Sequence, residues 1–480
     1  MRICIVSSIG EQTCQGIYLE IQPGSRDLWD LAVFDNGQPL DVVDFYQKEM
    51  GGAVRFNPDR HIYTNGILLA NRLRSVTHDI TVVNSLADDY PFDDTDVVII
   101  STNYVTARWE NHLINMLIKL KKKGIKCIIG GIGIKKICEK NKKRFGKIYE
   151  LVDGYIIISD NGLSVMNETL NRLFFPIENK VIEIEDDYDL RYMDYSLEHI
   201  GNTLHSKHTA LITQTGCVYD CMFCCYKEKY KKHTLMDINE VKKALIELNK
   251  TNIHGLSHIR FADESFNIDN SRVIDLCNFI REQKFPFRWS CFLRANNITD
   301  DLIGALSSSG CDFVSIGVES GSELLQRLMN KNIDLPKLKH EITKLRDAGI
   351  VVNISLLIGF FGETETTIQQ TKDFIIESQV DLAKINLWSP AQNEKNRALF
   401  DEYAFHRVGR TWRHQTASEQ DAVRYVRSLY FMDSDTAFIP PWCSIFDQWP
   451  VLSSYDLSQR EILEVFRKYY RVSKMSYQQP

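Results

Sequence analysis

Thr213–Lys229 reads TQTGCVYDCMFCCYKEK. Cys217, Cys221, Cys224 and Cys225 fall within nine residues, spaced C-x3-C-x2-C-C, and account for four of the chain's twelve cysteines. Three chemistries compete for such a loop. A structural zinc site takes four thiolates in a tetrahedron, usually from two separated pairs. Here all four sit in one short loop, and the adjacent Cys224 and Cys225 send their side chains apart. A ferredoxin-type cluster wants a fourth cysteine further along the chain. The third reading is a [4Fe–4S] cluster on three thiolates, with one iron open to a small molecule.

Outward from the loop, the apolar run Ala210–Thr215 opens a regular alternation. Strands are expected at 210–215, 258–261, 288–293, 312–318, 351–358 and 382–388. Helical patterns at 239–250, 272–283, 300–309, 336–348 and 365–378 lie between them. Six such strands predict a complete or partial (βα) barrel, with its chemistry at the strands' C-terminal ends. The cysteines stand at one of those ends.

A second alternation lies upstream. Strands are expected at Arg2–Ser7, Ile80–Asn84, Asp96–Ser101, Lys126–Gly131 and Gly154–Ser159, with helices at Asn65–Val76 and Trp109–Lys123 and a polar insertion reaching Tyr63. The fold class is therefore α/β: a doubly wound, Rossmann-like domain at 1–175, a linker at 176–200, the barrel at 201–395 and a mainly helical segment at 396–480. Trp412–Trp449 is expected to line a substrate cavity, with plain core as the alternative reading of its aromatic residues.

The 480 residues are 44% hydrophobic, enough for substantial cores, and the net charge of −6 gives no bulk affinity for nucleic acid. The lysines at Lys121–Lys123 and Lys135–Arg144 read as solvated faces. No signal-peptide pattern or bilayer-length apolar run occurs, so a cytoplasmic protein with no membrane partner is expected. In that reducing compartment clustered cysteines are expected as ligands or catalysts rather than disulfides. The other eight (Cys4, Cys14, Cys127, Cys138, Cys277, Cys291, Cys311 and Cys443) read as small core hydrophobes.

The cysteine spacing after a first strand resembles the signature of the radical S-adenosylmethionine (SAM) superfamily, and the resemblance covers Thr209–Pro390. IRFADESFNID (Ile259–Asp269) resembles the family's second-strand segment, with Glu264 in place of a second Asp. CFLRAN (Cys291–Asn296) and GCDFVSIGVESGSELLQRLMNK (Gly310–Lys331) resemble the third and fourth strands. LLIGFFGETETTIQQT (Leu356–Thr371) resembles the segment written G-x-P-G-E-T, with Phe361 replacing proline. The resemblance implies that Cys217, Cys221 and Cys224 hold a [4Fe–4S] cluster, while Cys225 is a surplus packing thiol. It also implies that Phe223 lies against the adenine of SAM and that Arg294 and Glu319 bind SAM. Glu319 has a plainer alternative, a strand-end carboxylate paired with a neighbouring Arg. An electron donor such as flavodoxin or ferredoxin is a further implication.

Thr95–Ile134 resembles the cobalamin-binding domains fused to some of these enzymes. Ser101, Thr102, Gly130 and Gly131 stand where such domains approach the corrin and its tail, and small residues suit a flat macrocycle. The D-x-H-x-x-G motif is absent; Asp59-Arg60-His61 is followed by Thr64 where the glycine would stand. Cobalamin is thus expected base-off, without a histidine on cobalt; the alternative is a domain that has lost its cofactor or uses its crevice for substrate. The implied activity is methylation of an unactivated carbon in a small metabolite or natural-product intermediate. Non-methylating radical chemistry is one alternative, and a non-catalytic iron–sulfur or zinc protein is another.

Overall fold

A computed structural model of the chain describes residues 1–9, 28–35, 38–51, 64–83, 92–105, 109–159, 162–184, 207–224, 232–251, 255–390, 397–408, 411–440 and 445–477. The chain divides into two compact units and contains two large sheets, with the strand His208–Leu211 of the second sheet counted in the first unit. The first sheet contains β1 (Ile3–Ile9), β2 (Ile80–Val83), β3 (Val97–Val105), β4 (Lys126–Gly130), β5 (Gly154–Ile158) and β6 (Val181–Glu183). Its order is β2-β1-β3-β4-β5-β6, every pair parallel. Successive residues Val97, Val98, Ile99 and Ile100 are all buried, because helices cover both faces. The strand order reverses between β1 and β3, and the C-terminal edge there is the crevice position of doubly wound sheets.

The second sheet contains β7 (His208–Leu211), β8 (His258–Phe261), β9 (Arg288–Leu293), β10 (Cys311–Glu319), β11 (Val351–Ile358), β12 (Leu382–Leu387) and β13 (Ala437–Ile439). They lie in the order β13-β12-β11-β10-β9-β8-β7, an open run of sequential neighbours. Pairs from β8 to β13 are parallel. The expected α/β class and barrel series are present. β13, only three residues long, was too short for periodicity to reveal, and it adds a strand where the sequence suggested helices.

The first barrel strand is shorter than its apolar run. β7 ends at Leu211, and the backbone N–H groups of Thr213 and Gln214 turn to the Asp263 carboxylate instead of continuing the ladder (2.7 and 3.2 Å).

Tyr18–Arg55, expected as an insertion in the first domain, belongs to the second unit. Helix Val42–Glu49 packs on the C-terminal helices Ile445–Ser453 and Gln459–Tyr477. Phe45 meets Tyr469 edge-on at 5.6 Å, Val42 N donates to Gln448 Oε1 at 3.1 Å, and Tyr469 Oη donates to Leu40 O at 2.9 Å. Buried apolar faces, not proximity along the chain, decide this grouping.

Of the aromatic residues expected around a cavity, Trp449 is fully buried and stacked on Phe313 at 4.6 Å, and Trp412 stacks on His414 at 5.4 Å. Phe361 packs against Trp388, Tyr403 and His414. These side chains are core. Among the described residues no helix is long and apolar enough to cross a membrane.

Candidate functional site

The cysteine loop leaves the second sheet through a narrow neck. Gly216 has φ +76°, and a Cβ there would lie 2.5 Å from Lys232 O, so the two limbs of the loop meet only over glycine. His233 Nε2 pairs with Gln214 Oε1 at 3.0 Å, and Gln214 Nε2 donates to Ser265 O at 2.6 Å. Beneath the neck lies Asp263, fully buried. Besides the two backbone N–H groups it accepts from Thr213 Oγ1 at 2.6 Å. Burial pushes its carboxyl up to about 6, against the pull of those three donors. Within the loop, Cys224 N donates to Cys221 O at 3.2 Å, Met222 N to Met329 O at 3.0 Å, and Asn330 Nδ2 to Asp220 O at 2.9 Å. Cys217, Cys221 and Cys224 are therefore presented on one tight, anchored turn. Cys225 lies outside the described residues.

Arg294 follows the last residue of β9 and is buried, at 8% exposure. Its backbone is clamped reciprocally by Asn267: Arg294 N donates to Asn267 Oδ1 (2.7 Å), and Asn267 Nδ2 donates to Arg294 O (3.0 Å). The guanidinium stacks on the Tyr219 ring, 4.2 Å from its centroid. Nη1 donates to Cys221 Sγ at 3.1 Å and Nη2 to Lys331 O at 2.8 Å. Asn297 Nδ2 donates to Tyr219 Oη at 2.8 Å.

Glu319 ends β10 with φ +69°, a left-handed conformation that a non-glycine residue adopts at a cost. The strand register slips between Gly317 and Glu319. Glu319 Oε1 accepts from Lys331 Nζ at 2.7 Å, with side-chain exposures of 10% and 7%. Gly317 makes room for this pair, since a Cβ there would stand 2.7 Å from each partner atom. Lys331 Nζ also lies 5.5 Å from the centre of the Phe223 ring. The expected residues Cys221, Phe223, Arg294 and Glu319 are thus joined through Lys331, which the sequence reading quoted without giving it a role. The plainer reading of Glu319 expected an arginine partner; the carboxylate is paired, but with Lys331.

Burial pushes the Cys217 thiol above its ordinary value, opposed by a hydrogen bond from the Tyr219 backbone and by the Arg294 charge. Among the described residues no three His, Cys, Asp or Glu side chains are placed to hold a single metal ion. A cubane accepts each thiolate on a different iron. Three thiols on one anchored turn, with a guanidinium on one of them, fit a three-thiolate [4Fe–4S] cluster.

In the first unit the structure brings Ser101, Thr102, Gly130 and Gly131 to the C-terminal edge of β3 and β4, where Ser101 pairs with Gly130. Their uses differ from expectation. Thr102 is fully buried; its Oγ1 donates to Gly130 O at 2.8 Å and accepts from Ile134 N at 3.0 Å, capping helix Ile132–Lys140 from outside. Gly131, φ +109°, is required because a Cβ would lie 2.4 Å from Asn103 Oδ1, which itself accepts from Ile132 N at 3.0 Å. Ser101 Oγ accepts from Asn65 Nδ2 at 2.5 Å. Gly130 has room, its nearest contact from a Cβ being Ile157 at 3.5 Å. The edge is free of large side chains, as a macrocycle needs, yet Thr102 and Gly131 already serve the fold.

Residues 211–375 match the radical SAM superfamily, and the strand-end cysteine loop described above lies within them. The chain therefore carries a radical SAM domain over that stretch. More particularly, its fold is that of two solved members. One is TsrM, a radical SAM methyltransferase from Kitasatospora setae solved with tryptophan substrate and a SAM analogue: TM-score 0.52, 12% identity, 80% of this chain and 73% of that one. The other is OxsB, a cobalamin-dependent SAM radical enzyme solved with aqua-cobalamin and SAM: TM-score 0.53, 15% identity, 71% of this chain and 52% of that one. At such identities the likeness is one of fold. In sequence, the chain is 23% identical over 361 residues to an uncharacterized methyltransferase of Pyrococcus horikoshii, covering 67% of this chain and 74% of the relative. It is also 24% identical over 230 residues to the anaerobic magnesium-protoporphyrin IX monomethyl ester cyclase of Cereibacter sphaeroides, spanning 36% of that longer protein. A radical SAM domain implies a [4Fe–4S] cluster and SAM.

Proposed function

We propose that the chain cleaves SAM reductively at a [4Fe–4S] cluster held by Cys217, Cys221 and Cys224, and uses base-off cobalamin to methylate an unactivated carbon of a small molecule. The observation that carries this reading is the continuous run Cys221–Arg294–Lys331–Glu319 at the strand ends, beside Phe223. The cluster, when bound, supplies the electron that breaks the sulfonium bond of SAM, and cobalamin supplies the methyl group. The chain's residues do the rest. The clamped turn fixes three thiolates, Phe223 offers a face for adenine, and the Glu319 carboxylate, held by Lys331, receives the amino group or ribose of SAM. Burial of the Glu319–Lys331 pair excludes water from that side. Ser101 and Gly130 offer a small-residue edge to the corrin. A low-potential donor such as flavodoxin or ferredoxin is the electron source, and a small metabolite is the substrate; neither a nucleic acid nor a membrane is a proposed partner.

A second reading, radical chemistry without methyl transfer, draws on Thr102 and Gly131 being used by the fold itself. The two separate on the protein loaded anaerobically with iron, sulfide and cobalamin, then given reductant and SAM with a deuterated methyl group. Cobalt retained together with deuterated methyl on a product supports methyl transfer. Formation of 5′-deoxyadenosine with no cobalt retained supports the second reading.

A further inference from the structure

We infer that Arg294 is a positioning residue for the cluster rather than a SAM ligand, and that its guanidinium sets the cluster's reduction potential through Cys221. The inference rests on Cys221 being a cluster ligand, as proposed above. Both terminal nitrogens of Arg294 are already committed, one to Cys221 Sγ at 3.1 Å and the other to Lys331 O at 2.8 Å. Tyr219 covers one face of the group at 4.2 Å, and Asn267 holds its backbone from both sides. A side chain held at three points on a clamped backbone, and 8% exposed, stays in place rather than following a substrate. It stays beside the sulfur.

The consequence is electrostatic. Reduction adds one electron to an assembly already negative through its three thiolates. A buried cation donating to one of those sulfurs stabilises the reduced state more than the oxidised one, and so raises the potential. Screening is weak at this burial. The gain in reducibility matters because the electron must pass from the cluster to SAM after arriving from an external donor.

The test is a potentiometric titration of the anaerobically reconstituted full-length protein without SAM, read by the electron paramagnetic resonance signal of the reduced cluster. Arg294→Gln is expected to keep its iron while its reduced-to-oxidised ratio at a given potential falls roughly tenfold, a negative shift of about 59 mV for one electron. Should Arg294→Gln lose its iron, Arg294→Lys, which keeps the charge without the fixed fork, decides the matter through a smaller negative shift. An unshifted midpoint in whichever of these variants decides overturns the inference. A purely structural role would alter iron content or stability but leave the midpoint of the loaded fraction in place. Cys221→Ala protein carrying the wild-type iron content would instead overturn the ligand assignment beneath it.

Discussion

Replacing Asp263 by Asn separates two things this carboxylate does for the cysteine loop. It accepts three hydrogen bonds, from Thr213 N, Thr213 Oγ1 and Gln214 N (2.7, 2.6 and 3.2 Å), and it carries a charge in full burial. Burial raises its folded-state value from 3.8 to about 6. The stability associated with the protonated form is therefore complete below 3.8 and lost as pH rises through about 6. Two units correspond to about 3 kcal/mol. Asp263→Asn cannot ionise, keeps an acceptor for the backbone N–H groups, and leaves Thr213 Oγ1 free to turn from donor to acceptor. Its stability relative to wild type should rise by about 3 kcal/mol between pH 4 and pH 8. Asp263→Ala leaves two buried N–H groups unpaired and should cost about 2–6 kcal/mol even at pH 5. Urea unfolding of the apoprotein, followed by tryptophan fluorescence, measures both differences. Iron content after reconstitution should be kept in the Asn variant and reduced in the Ala variant. A flat pH dependence of the Asn-to-wild-type difference, or equal iron loss in both variants, would refute the reasoning.

Glu319→Ala should retain the cluster but raise the SAM concentration needed for half-maximal cleavage; unchanged concentration dependence would leave Glu319 as a structural partner of Lys331. Lys331→Ala, which leaves a buried carboxylate uncompensated, should destabilise the second unit by about 3–5 kcal/mol in the same urea assay. Gly131→Val is expected to unfold the first unit through its clash with Asn103, so its cobalt content would be uninformative. Gly130→Ala should keep the wild-type melting temperature within a few degrees, and a loss of cobalt from that folded protein would locate cobalamin at this edge. Cys225→Ala should keep about four irons per chain, the content of one cubane, and an iron-free Cys225→Ala protein would show the ligand set misassigned.

The barrel was legible because each strand is a short apolar run followed by a helical period, and the cysteine spacing marked the strand end that matters. Arg294 and Glu319 could be named from the motifs around them, but their partners could not. Lys331 closes the segment quoted for the fourth strand, and only folding pairs it with Glu319. Asp263 and Asn267 lay inside a quoted motif; nothing in a strand-end Asp or Asn reveals that it clamps Thr213 or Arg294. The cap that Thr102 provides could not be read from the sequence, for a physical reason. A hydroxyl at a strand end can face a ligand or cap a helix, and the choice depends on a helix start thirty residues away in sequence. The pairing of helix Val42–Glu49 with the C-terminal helices is a contact across some four hundred residues, beyond any local pattern.

The central claim is that three cysteines of one loop hold the cluster that cleaves SAM. Its most direct test is the 5′-deoxyadenosine formed from SAM and dithionite by anaerobically reconstituted wild type and by Cys217→Ala, Cys221→Ala and Cys224→Ala, with iron measured on each. Wild type should carry about four irons, show a visible band that bleaches on reduction, and form 5′-deoxyadenosine, while all three variants form none. Wild type that takes up zinc in place of iron, or any of the three variants cleaving SAM at the wild-type rate, would contradict the account.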